Sequence, residues 1–107
     1  DLFEEQVKKT PDAIALVFED QVMTYKELDD RSNQLVHYFE SVDMVEDSRI
    51  GILFNRSFDM IISILGVLKS GCTYVPLDPS LPSKRLSYIL EDSGVNFLLY
   101  KEESLLS

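Results

Sequence analysis

Cysteine is nearly absent from this 107-residue chain, where Cys72 stands alone. One thiol excludes an internal disulfide and any Cys-x-x-Cys site, as expected in a reducing compartment, so the cytoplasm is the expected location. Histidine is as scarce, with His37 the single example, and a His-Glu-x-x-His zinc motif is therefore ruled out. The four glycines, Gly51, Gly66, Gly71 and Gly94, form no Gly-x-Gly-x-x-Gly, no Gly-x-x-x-x-Gly-Lys-Ser/Thr and no Gly-x-Ser-x-Gly. Basic residues are outnumbered, ten Lys and Arg facing nineteen Asp and Glu for a formal charge of -9. Such a field repels phosphate backbones and anionic lipid, which argues against nucleic acid and membrane surfaces as partners. Long apolar runs are missing too. The longest, residues 60–68, is interrupted by Ser63 and Gly66 and falls far short of the roughly 20 residues that span a bilayer. No basic stretch followed by an apolar one opens the chain, so no export signal is expected. Nor is there a low-complexity tract or a fixed internal period.

What is present is a hydrophobic fraction of 45%, enough for a core, and the chain reads as one compact unit without linkers. Residues 2–9 carry Leu2, Phe3, Gln6 and Val7 at helical spacing, and Thr10-Pro11-Asp12 stops the helix because the residue before proline is pushed out of the α region. Residues 13–18 and 21–23 flank Glu19-Asp20 and read as a hairpin. Thr24 followed by Glu27 is a capping box opening a long helix, with Met23 and Leu28 as its staple. Leu28, Leu35, Phe39 and Val42 then line one face.

From Arg49 the pattern changes to short apolar runs alternating with helices: residues 50–54, 57–70, 73–75, 82–93 and 95–100. That order is β-α-β-α-β, and strands apolar on both faces require a parallel sheet covered on both sides. The expected fold class is thus α/β, an N-terminal hairpin and helix followed by a parallel-sheet segment. Punctuation agrees: Ser57 as N-cap, Pro82 at a first helical position, Lys69 near a helix C-terminus, and Gly71 and Gly94 just past helix ends. The helix over residues 57–70 is apolar nearly all round, so it needs cover from more than one layer. An open start at Asp1 and a new helical pattern before Ser107 suggest a piece of something longer.

Residues able to do chemistry each have a simpler reading. His37 lies in a helix away from any carboxylate pair and is expected at the surface. Cys72 follows a helix C-terminus, which does nothing to activate a nucleophile, so packing is expected. Arg56 precedes a helix where an anion could be held, but one Arg without a glycine loop carries little weight. Lys69 and Arg85 are read as a helix-dipole partner and an exposed helix charge, and Asp78, before Pro79, as a turn residue. The expected set of catalytic, cofactor-binding and metal-binding residues in this chain is therefore empty.

Two stretches carry a resemblance. Met23-Thr24-Tyr25-Lys26-Glu27-Leu28 resembles the first core motif of the adenylation domains of nonribosomal peptide synthetases, Leu-Thr/Ser-Tyr-x-Glu-Leu, with Met in first position. Leu68-Lys69-Ser70-Gly71-Cys72-Thr73-Tyr74-Val75-Pro76-Leu77-Asp78 resembles the second, Leu-Lys-Ala-Gly-x-Ala-Tyr-Val-Pro-Ile-Asp, departing at Ser70, Thr73 and Leu77. Arg56-Ser57-Phe58-Asp59-Met60, the opening Phe3-Glu4-Glu5-Gln6, and Pro82, Arg85, Leu90 and Asp92-Ser93-Gly94 also fit. The resemblance implies that residues 1–107 are the N-terminal part of an AMP-binding adenylation domain. It further implies, for the intact enzyme, activation of an amino acid with ATP and Mg²⁺ and transfer to the phosphopantetheine thiol of a carrier domain. Its partners would be the rest of the adenylation domain and neighbouring carrier and condensation domains. The phosphate loop, substrate pocket and catalytic lysine implied for that enzyme lie beyond Ser107, which leaves this segment as scaffold. The competing expectation is a small acidic α/β interaction module that folds on its own.

Overall fold

The structure, a computed structural model, describes residues 2–100. Helix α1 (Leu2–Lys9) leads into strands β1 (Ile14–Phe18) and β2 (Gln21–Thr24), and helix α2 (Tyr25–Ser41) follows directly. Then come β3 (Arg49–Leu53), α3 (Phe58–Lys69), β4 (Thr73–Leu77), α4 (Ser83–Ser93) and β5 (Phe97–Tyr100). The new helix expected before Ser107 lies outside the described residues.

β1 and β2 pair antiparallel, with Val17 opposite Val22 and Phe18 opposite Gln21. Glu19 takes a positive φ of 56° in the connecting turn, the left-handed backbone that a two-residue hairpin loop demands. Thr24 then performs the capping expected of it. Glu27 N donates to Thr24 Oγ1 at 3.1 Å while Thr24 N donates to Glu27 Oε1 at 3.1 Å, satisfying helix-end donors reciprocally.

The second sheet has the order β4-β3-β5, all parallel. β3→α3→β4 moves to one side and β4→α4→β5 returns across β3, so right-handed crossovers set α3 and α4 on opposite faces. On the α3 face, Ile50 and Ile52 are buried with Phe39, Val67 and Cys72. On the other, Gly51 is closely faced by Leu77, Leu98 and Val95. A second core joins Met23, Leu28 and Ile62, with Phe3, Leu16 and Phe58 packed against it, so α3 lies between the sheet and a layer made of α2 and the hairpin.

Several expectations need correction. The strand that starts at Thr73 runs on to Leu77, with Pro76 opposite Ile52; β4 is one of the two outer strands of the described sheet, where a proline with no amide hydrogen is tolerated. Pro82 is the N-cap of α4 rather than its first helical residue: its ψ of 148° is extended, and Leu86 N donates to its carbonyl at 3.0 Å. Val42 caps the end of α2 and stands exposed instead of lining its inner face. The need of α3 for further cover, by contrast, stands among the described residues: Ile62, Ser63, Gly66 and Val67 are buried, but Phe58, Met60, Ile61, Ile64 and Leu65 are only half-buried and Leu68 is 55% exposed.

Candidate functional site

Residues 68–78 join α3 to β4 and make the sharpest structural feature of the chain. At the end of α3, Lys69 Nζ donates to Asp29 Oδ1 at 2.7 Å and to Asn33 Oδ1 at 2.9 Å. It also lies 5.3 Å from the centroid of the Phe3 ring, within cation-π range. Side-chain exposure is 12% for Lys69 and 24% for Asp29, so the pair is substantially withdrawn from water. Lys69 does more than answer the helix dipole, the role its position predicts; it ties the tail of α3 to α2 and to α1. Its partners Asp29 and Asn33 escape a reading of the sequence. Their i, i+4 spacing places them on one face of α2, but a contact spanning 40 residues leaves no local signal.

Past Lys69 the chain reverses. Gly71 adopts φ of 73°, a left-handed conformation that costs glycine nothing, and Cys72 N donates to Val67 O at 3.2 Å, closing the helix end. Cys72 is buried in the core as expected, its Sγ 3.6 Å from the carbonyl of Val45. Thr73 N then donates to Ser48 O at 2.9 Å, and the register of β4 on β3 follows from there, Arg49 opposite Thr73 and Leu53 opposite Leu77.

Open α/β sheets receive ligands at the carboxyl edge of their strands. At that edge β3 delivers residues 54–57 and β4 delivers residues 78–82. Ser57 is engaged in capping: its Oγ donates to Asn55 O at 2.9 Å and accepts from Met60 N at 3.3 Å. Arg56 is exposed beside it, on the rim of a cleft of about 540 Å³ that also borders Val17, Phe18, Phe58 and Ile61. A second open cleft, of about 450 Å³, lies between α2 and α3 and includes Arg31, Tyr38 and Phe54.

Asp78 is the turn residue expected. Its Oδ1 accepts from Ser80 Oγ at 2.7 Å and from Ser80 N at 2.9 Å, and the Ser80 hydroxyl, then the Ser80 amide, hold its carboxyl below the usual 3.8. The Thr24 amide, followed by the Thr24 hydroxyl, lowers Glu27 below 4.5 in the same way. Both shifts come from local capping geometry and neither creates an acid or base near neutrality. His37 is exposed on α2, loosely beside Glu40 at 3.9 Å. Among the described residues, no three His, Cys, Asp or Glu side chains are grouped to hold a metal ion. No helix among them is long and apolar enough to cross a membrane.

Against known proteins, the profile of the family described as AMP-binding enzyme matches residues 3–107. Polyketide synthase PksN of Bacillus subtilis is 50% identical over 99 residues, covering 92% of this chain and 2% of that protein. Gramicidin S synthase 2 of Brevibacillus brevis is 43% identical over 104 residues, covering 97% of this chain and 2% of that protein. The chain thus spans a very small part of these relatives. Among solved structures, the N-terminal subdomain of Klebsiella oxytoca NpsA superposes with a TM-score of 0.87 at 25% identity, over 95% of this chain and 27% of that one. O-succinylbenzoate coenzyme A synthetase (MenE) of Bacillus subtilis, in complex with AMP, shares the fold with a TM-score of 0.85 at 24% identity, over 99% of this chain and 29% of that one. A profile match across nearly every residue, with a superposition as complete, settles the family: the chain belongs to the AMP-binding enzymes and has the fold of part of their N-terminal subdomain.

Proposed function

We propose that this chain is the early part of an amino-acid-activating adenylation domain of a nonribosomal peptide synthetase, in which it serves as scaffold. The intact enzyme would join an amino-acid carboxylate oxygen to the α-phosphorus of ATP, releasing pyrophosphate. A carrier-domain phosphopantetheine thiol would then take the aminoacyl group and release AMP. The observation that carries this reading is the match to peptide synthases along almost the full chain, including 48% identity over 101 residues to bacitracin synthase 3 of Bacillus licheniformis. Its identifying stretch, residues 68–78, is committed to packing and turn formation. Lys69 is engaged by Asp29 and Asn33, Cys72 is buried, and Asp78 is engaged by Ser80.

Condensation and carrier domains are the partners this reading implies, a cytoplasmic setting is its context, and the amino acid is the substrate. A self-contained acidic interaction module is not favoured, because the family match runs from residue 3 to residue 107. Amino-acid-dependent exchange of pyrophosphate into ATP is the test. The enzyme containing this segment should support exchange with one or a few amino acids, and the 107-residue chain alone should support none. Robust exchange by the chain alone would overturn the scaffold assignment; an enzyme that activates no amino acid would overturn the substrate class.

A further inference from the structure

We draw no further inference here: the strongest candidate, the outward face of the β1–β2 hairpin on which Ile14, Val17 and Val22 stand exposed beside Glu19 and Asp20, carries nothing because no feature of the structure shows what covers it.

Discussion

Gly66 lies inside α3, where glycine is about 1 kcal/mol worse than alanine in helix propensity. On local grounds alone, Gly66→Ala should stabilise the chain. Packing reverses the sign. A Cβ at position 66 would sit 2.7 Å from Leu35 Cδ2 and 3.2 Å from both Cβ and Cγ of Leu35. Rotating the Leu35 side chain can clear its Cδ2, but its Cβ moves only if α2 shifts, and α2 is fixed by Leu28, Ser32 and Phe39 in the core. Overpacking of this kind costs about 1–3 kcal/mol, and with the propensity gain subtracted a net loss of about 1 kcal/mol is expected. Urea unfolding followed by far-UV circular dichroism should show the midpoint falling with the slope unchanged. Leu35→Ala supplies the control. It costs stability by itself, about 2 kcal/mol for a half-buried leucine, and it removes the Cδ2 and Cγ contacts while leaving the Cβ of position 35 at 3.2 Å. Adding Gly66→Ala in that background should therefore cost clearly less than it does in the unaltered chain. Stabilisation by Gly66→Ala in the unaltered chain, or the same loss in both backgrounds, would refute the argument that α2 and α3 meet through this missing side chain.

The remaining expectations concern the joints on either side. Lys69→Met leaves Asp29 partly buried without its cation and should cost about 1–3 kcal/mol, more than a surface pair and less than a fully buried one; adding Asp29→Asn should return part of the loss in a double-mutant cycle. Gly71→Ala meets no atom closer than Glu46 Cγ at 3.6 Å, so its cost is backbone strain of about 1 kcal/mol, and Gly71→Asn should melt at a higher temperature than Gly71→Ala. Thr24→Ala should cost about 1 kcal/mol through loss of the N-cap. Glu27→Gln should change the acid limb of stability. Hydrogen bonds from Thr24, its amide first, hold folded Glu27 below 4.5, so Glu27's contribution is present above that pH and is lost as pH falls through its lower folded value. Unfolding midpoints measured down through this range should decline less steeply in Glu27→Gln than in the unaltered chain; equal slopes would discount the capping box as the cause.

Local rules are enough for most of the fold. Thr24 and Glu27 announce a helix start because both partners of the capping box lie within one turn, and the structure contains both hydrogen bonds. Gly71 and Gly94 mark helix ends because each takes a positive φ. The readings of Pro82 and Val42 miss by about one position at a helix end; the larger misreadings fall where a distant neighbour decides. Pro76 falls outside the strand expected over residues 73–75 until β3 is known to flank β4 on one side only among the described strands. Lys69 reads as a simple dipole partner until the fold brings Asp29, Asn33 and Phe3 to it. The extra cover for α3 is legible as a need, but its source is not, since the pattern of α2 and of the hairpin does not say which helix they face.

The same contrast explains why residues 68–78 identify a family so well. A helix must end on a left-handed residue, its last lysine must meet an acid and an amide on α2, and the next side chain must fit a closed core. A strand must then begin in register with β3, and an aspartate must receive Ser80. Each condition restricts one position to few residue types, and five such conditions fall within eleven consecutive residues. A stretch under that many simultaneous packing constraints is recognisable whatever it catalyses. Within it, Lys69 holds α3 to α1 and α2, Cys72 fills the core beside β3, and Asp78 shapes the turn after β4.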